Sequence, residues 1–188
     1  DGGVLQYTYY VDNNQVAFTD ARGNQFTTEY DARNRVTAES DALGNRTNYR
    51  YDVVNNLIET TDPDGRQTLF RYDDLDRLIS KTRVVGLPDT ESLGTDDVVW
   101  QYSYRADGRL VSISDPLGRL TTNDYDNLDR LVGVTSAVGT PSQASRGYAY
   151  DDAGNLLAYT NENGAVETYV YNALDRIITF NRAHPDGS

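Results

Sequence analysis

Apolar and polar residues alternate along this chain in short runs, a period of two that marks half-buried strands rather than helices. Thr47, Tyr49 and Tyr51 lie two apart, as do Thr68, Phe70 and Tyr72, then Trp100, Tyr102 and Tyr104, and again Glu167, Tyr169 and Tyr171. Side chains two apart share a face, so each run presents neighbouring aromatics on one side of a strand. Stretches such as "RLISKT" and "RLVSIS" supply the returning strands. The pattern predicts an all-β protein built of antiparallel hairpins.

The hairpins recur in phase. Taking one tyrosine of each as position zero gives Tyr30, Tyr51, Tyr72, Tyr104, Tyr125, Tyr150 and Tyr171, separated by 21, 21, 32, 21, 25 and 21 residues. Tyr9 lies another 21 before Tyr30, with the residues between Tyr9 and Gln15 slipped by one. A fixed period of this length is the sequence sign of a repeat architecture. One place after the tyrosine stand Asp31, Asp52, Asp73, Arg105, Asp126, Asp151 and Asn172. Four places after it stand Asn34, Asn55, Asp76, Gly108, Asp129, Gly154 and Asp175, the residue types that best tolerate a positive φ. Five places after it stand Arg35, Asn56, Arg77, Arg109, Arg130, Asn155 and Arg176. The sixth is always aliphatic: Val36, Leu57, Leu78, Leu110, Leu131, Leu156 and Ile177. This column order describes a tight turn that launches a strand.

A second turn fills the other half of the period. "DALGN" (41–45), "DPDGR" (62–66), "DPLGR" (115–119) and "NENGA" (161–165) place Asp or Asn first and Gly fourth. That order suits a type I turn whose glycine, Gly44, Gly65, Gly118 or Gly164, takes the left-handed place of a three-residue hairpin loop. Gly23, Gly86 and Gly139 keep the same phase. Eleven extra residues fall at about 87–97 and four at about 140–145, both just after the glycine of this turn and none in the Tyr-Asp turn. One rim of the predicted meander accepts longer loops and the other does not. The whole chain, 1–188, is expected to be a single segment of about eight units and, with Asp1 inside a repeat, a piece of a longer protein.

Composition narrows the function classes. With 17 basic and 29 acidic residues the formal charge is −12, which repels nucleic acid and anionic membrane surfaces. No apolar run approaches the roughly 18 residues of a membrane span. Cysteine is absent, which excludes disulfides and thiolate metal sites. The mean hydropathy of −0.65 permits disorder, but tyrosines at fixed spacing argue against it. The many carboxylates recur as turn residues and match no calcium-loop spacing, so no metal and no cofactor is expected. His184, the only histidine, has no nucleophile to serve, so no catalytic residue is assigned. Trp100 fits the aromatic face as a packing residue. The tyrosine rings are expected to cover apolar surface with their hydroxyls left in water, and the arginines to lie over a ring or to pair with a nearby carboxylate.

The phrases "YDDLDRLIS" (72–80) and "YDNLDRLVG" (125–133), each in step with an Asp-Pro-x-Gly-Arg turn, resemble the YD-repeat, or Rhs-repeat, family of bacterial polymorphic toxins, toxin-complex encapsulating subunits and teneurins. The resemblance covers the chain from about Tyr9 to Arg182. It implies a continuous curved β-ribbon that forms part of a hollow shell. In bacterial members such a shell sequesters a C-terminal toxic domain. By itself the segment is too small for that task. Sixteen strands at about 4.8 Å each, closed into a ring, give a diameter near 30 Å, and a folded 100-residue payload needs roughly 35 Å. Further repeats of the same chain or neighbouring copies are therefore expected partners, together with an enclosed toxin domain or a cell-surface partner. The expected setting is secreted or cell-surface, in a bacterium. A second reading makes the segment an extracellular adhesion or fibre module. Its contacts would come from the repeat ends or from the acidic insertion that carries Asp89, Glu91, Asp96 and Asp97.

Overall fold

The computed structural model describes residues 5–10, 14–85 and 97–183. Every described element is a strand. The chain divides into two compact units, Asp1–Val99 and Trp100–Ser188. The first contains β1 (Gln6–Tyr10), β2 (Gln15–Thr19), β3 (Gln25–Tyr30), β4 (Val36–Ser40), β5 (Arg46–Tyr51), β6 (Leu57–Thr61), β7 (Gln67–Tyr72) and β8 (Leu78–Arg83). The second begins within β9 (Val98–Tyr104). It continues through β10 (Leu110–Ser114), β11 (Leu120–Tyr125), β12 (Leu131–Ser136), β13 (Ala144–Tyr150), β14 (Leu156–Thr160), β15 (Val166–Tyr171) and β16 (Ile177–Ala183). Within each unit every strand pairs antiparallel with the next in chain order. The all-β hairpin repeat read from the sequence is the fold, and each return strand starts at its invariant aliphatic.

Among the described residues neither unit has a second layer to bury a core against. Among the described residues the buried ones are small: Ala17, Ala38, Ala165 and Thr82. Strand pairing, turn hydrogen bonds and a half-buried aromatic face must therefore hold the sheet. Residues directly opposite each other share a face, so Tyr7, Phe18 and Phe26 form a ladder with ring centroids 5.1 and 6.0 Å apart. Tyr148 faces Tyr159, and Tyr169 faces Phe180, each pair at 5.4 Å. The opposite face is polar in the first unit, where Arg46 pairs with Glu29 and Arg50 with Glu59. In the second unit it carries a row of small hydroxyl residues in register: Ser103, Ser112, Thr122, Thr135 and Ser145.

A feature that strict alternation does not predict recurs beside each Tyr-Asp turn. Tyr51 pairs with Leu57, but Arg50 pairs with Glu59, so Ile58 is an extra residue in a β-bulge. The same shift leaves Thr37, Ile79, Val111, Val132, Leu157 and Ile178 extra in their hairpins. One added residue reverses the parity of everything beyond it. That is how Leu57 and Thr60, three apart, both share the tyrosine face. The first hairpin lacks the bulge: Tyr10 pairs with Gln15 across four residues instead of five. This is the physical content of the slip between Tyr9 and Gln15.

At the other rim the second insertion is shared out. The loop spans 137–143, and Ser136 already pairs with Ala144, so Ala144 and Ser145 belong to β13 rather than to the loop. Two of the four added residues lengthen the turn, and one extends each flanking strand. Of the first insertion, 87–97, all but Asp97 lies outside the described residues, as does His184.

Candidate functional site

Both rims use one backbone turn. In the Tyr-Asp turn of 31–35 the amide of Asn34 donates to the Asp31 carbonyl (3.0 Å), and the amide of Asp31 donates to the Arg35 carbonyl (2.9 Å). In the turn of 41–45 the amide of Gly44 donates to the Asp41 carbonyl, and that of Asp41 to the Asn45 carbonyl, both at 3.0 Å. The fourth residue of each turn is left-handed. At the glycine rim φ is 83° for Gly44, 81° for Gly65, 73° for Gly118 and 80° for Gly164. At the tyrosine rim all seven residues four places after the tyrosine have positive φ, from 55° at Asp175 to 93° at Gly108.

The first residue of the turn locks it. Asp31 Oδ1 accepts from the amides of Arg33 (2.8 Å) and Arg35 (3.0 Å), while Oδ2 accepts from Arg35 Nε (2.7 Å). Asp73 with Arg77, and Asp126 with Arg130, repeat this arrangement. Asp52 and Asp151 take the amides of Asn56 and Asn155 in the same way. The Arg35 amide, followed by its guanidinium, holds the Asp31 carboxyl below its ordinary range. The Arg77 side chain does the same for Asp73. Arg105 occupies the aspartate place in its turn, which still closes through the Gly108 and Arg105 amides, with Asp107 taking over the acceptor role toward the Arg109 amide (3.0 Å). Asn172 substitutes for Asp with its side-chain oxygen, accepting from Leu174 and Arg176.

The tyrosine belongs to the hairpin before it as much as to its own. Arg35 lies over the ring of Tyr51, 4.8 Å from the centroid, and its Nη1 donates to the Asp52 carbonyl (2.9 Å). Arg130 lies over Tyr150 at 4.9 Å and donates to the Asp151 carbonyl (2.5 Å). So the arginine both pairs with a carboxylate in its own turn and stacks on the ring of the next hairpin. Where the preceding turn has Asn instead of Arg, the tyrosine hydroxyl is not left in water. Tyr72 donates to the Leu57 carbonyl (2.9 Å) and Tyr171 to that of Leu156 (3.0 Å). Tyr125, with Arg109 more distant at 5.9 Å, donates to the Leu110 carbonyl. Tyr30 and Tyr104 end β3 and β9 opposite Val36 and Leu110. Arg176 is exposed, and its side chain has no partner among the described residues.

Links from turn to turn run the length of this rim inside each unit. In the first unit they join Asn14 to Asp31, Arg35 to Asp52 and Asn55, and Asn56 to Asp76. In the second they join Arg109 to Asp129, Arg130 to Asp151, and Asn155 to Asp175. The sequence carried their signal as residues 17 to 21 apart, but columns compared one at a time do not show it. Of the acidic insertion, Asp89, Glu91 and Asp96 lie outside the described residues, and Asp97 accepts from the amide of Val85 (2.8 Å). No group of three or more His, Cys, Asp or Glu among the described residues is arranged to hold a metal ion.

The profile of the RHS Repeat family matches residues 9–46, 30–64, 51–87, 104–141 and 150–188. No curated protein matches the chain. Among solved structures, the fold is similar to the crystal structure of TcdB2-TccC3 without its hypervariable C-terminal region, with a TM-score of 0.55 and 14% identity over 100% of this chain. It is also similar to the Photorhabdus luminescens Tc holotoxin pore, with a TM-score of 0.52 and 15% identity over 99% of this chain. In both cases the match covers 13% of the larger chain.

Proposed function

The chain belongs to the RHS-repeat family, and on that premise we propose that it is a structural segment of a shell or scaffold, from a bacterial Rhs-type toxin that encloses a C-terminal toxic domain. The observation that carries this reading is the tyrosine rim. Within each unit the turns are locked by their own Asp or Asn and fastened one to the next, which suits a wall and leaves the carboxylates committed to construction. The role is non-catalytic and needs no cofactor. The partners are further repeats, of the same chain or of neighbouring copies, and the enclosed domain. The setting is secreted or cell-surface.

Limited proteolysis of the full-length gene product tests this. The expected result is a C-terminal segment protected in the native protein and digested once the protein is unfolded, with hollow particles in electron micrographs. Digestion of that segment at the same rate in native and unfolded protein would overturn the enclosure. The adhesion or fibre reading predicts instead filaments or binding to cell surfaces, with no protected segment.

A further inference from the structure

We propose that the left-handed corner residue of the tyrosine-rim turns is a register-setting acceptor for the preceding hairpin, and that Asp or Asn stands there for that reason rather than for its tolerance of positive φ. The proposal holds whatever the longer protein encloses. Glycine is the residue that takes a positive φ without strain, and the glycine rim uses it. On the tyrosine rim Asn55, Asp76, Asp129 and Asp175 accept that strain, at φ of 80°, 58°, 65° and 55°. Each receives a side-chain donor from the turn before. Arg35 Nη1 reaches Asn55 Oδ1 (3.1 Å), and Asn56 Nδ2 reaches Asp76 Oδ1 (2.7 Å). Arg109 Nη2 reaches Asp129 Oδ2 (3.0 Å), and Asn155 Nδ2 reaches Asp175 Oδ1 (2.9 Å).

The donor decides what the corner must be. Asn is too short to reach the next backbone carbonyl along the path Arg takes, and both of these Asn donors, Asn56 and Asn155, meet an Asp corner. Arg130 reaches the Asp151 carbonyl directly, and the corner of that turn is Gly154. A hairpin shifted by two residues against its neighbour would keep its faces but lose this bond, so the pair fixes register where the sheet itself is permissive. Every such bond runs from the N-terminal turn to the C-terminal one, which also gives the row a direction.

The test compares corners in the full 188-residue chain by thermal denaturation followed by circular dichroism. Asn34 is the control, because its φ is 59° and its amide group receives no donor among the described residues. Asn34→Gly is expected to hold or raise the midpoint, by up to about 2 °C, through relief of strain. Asp76→Gly is expected to lower it by about 2–4 °C despite the same relief, and Asp76→Asn, which keeps an acceptor oxygen, to stay within about 1 °C. Asn56→Ala combined with Asp76→Gly should fall no further than either change alone. A rise or no change for Asp76→Gly, an equal fall for Asn34→Gly, or additive losses in the double variant would each overturn the proposal.

Discussion

At the tyrosine rim, Arg35 closes its own turn on Asp31 and then reaches the carbonyl of Asp52 and the ring of Tyr51 in the next hairpin. At the glycine rim, Arg119 closes its turn on Asp115 at 2.6 Å and reaches no neighbouring turn among the described residues. Asp41 with Asn45, and Asp20 with Asn24, are equally self-contained. The turn closes with the same backbone hydrogen bonds at both rims, but only the tyrosine rim adds a bulge, and the rims differ in where the fifth residue of the turn points and what stands within its reach. That difference explains why both insertions follow the glycine of their turn. A turn bonded only to itself can be lengthened at the cost of loop closure, which grows slowly with length. A turn bonded to its neighbour cannot be lengthened without breaking a row.

The most damaging way to probe that comparison is an insertion. Four Gly/Ser residues placed between Leu75 and Asp76 would part Asp76 from Asn56 and Asp73 from Arg77. The same four placed after Gly118 would lengthen a turn that holds only itself. The tyrosine-rim insertion should lower the thermal midpoint by roughly 8 °C or more, and the glycine-rim insertion by no more than about 3 °C. Equal losses would mean that the rims differ in sequence only.

Next in size is removal of a ring. Tyr72 is half-buried, and its hydroxyl donates to Leu57 of the previous hairpin. Tyr72→Ala should cost about 2 kcal/mol in urea denaturation, from lost ring burial and the lost hydrogen bond. Tyr72→Phe isolates the hydroxyl and should cost about 1 kcal/mol. Asp89→Ala, in the first insertion, should be silent. A silent Tyr72→Phe would show that the carbonyl of Leu57 finds water as readily as the phenol.

Smaller still is the exchange of Arg for Lys. Lysine keeps the charge but neither stacks as a plane nor holds its donors in a fixed planar fork. Arg35→Lys should cost about 0.5–1 kcal/mol through loss of the stacking on Tyr51 and of the bond to Asp52. Arg119→Lys, on an exposed side chain that serves one turn, should change stability by less than about 0.3 kcal/mol. Equal costs would argue that the arginine acts only within its own turn.

Much of this architecture was legible in the residues. The phase of Tyr30 to Tyr171, the left-handed fourth position and the loop-tolerant rim all follow from local chemistry, since a turn of five residues writes its demands into five consecutive letters. What escaped is non-local. The bulges at Ile58, Ile79 and Val132 are visible only when a strand's partner is known, because two successive aliphatics read equally well as the start of a plain strand. The bonds of Asn56 and Asn155 join residues 20 apart, so neither turn announces them alone. Tyr72 looked like a ring with a wet hydroxyl because its acceptor, the Leu57 carbonyl, is backbone and carries no sequence signal.

Acidity should separate the rims least, because the locking carboxylate is common to both. At the tyrosine rim the Arg35 amide holds Asp31 low, and at the glycine rim the Asn45 side chain and the Arg66 amide do so for Asp41 and Asp62. A carboxyl whose folded pKa lies below its unfolded value contributes stability that is present above the unfolded value, near 3.9, and vanishes as the pH falls through the folded one. The thermal midpoint should therefore be flat from about pH 8 to pH 5 and drop steeply below about pH 4. Asp31→Asn and Asp41→Asn should flatten that drop to a similar degree, since an amide oxygen still accepts the backbone bonds, as Asn161 and Asn172 do, but does not titrate. A drop that only Asp31→Asn flattens would place the acid sensitivity in the links between turns. Equal flattening by both places it in the turns themselves, which is the expected result if the two rims share one lock and differ only in what that lock is fastened to.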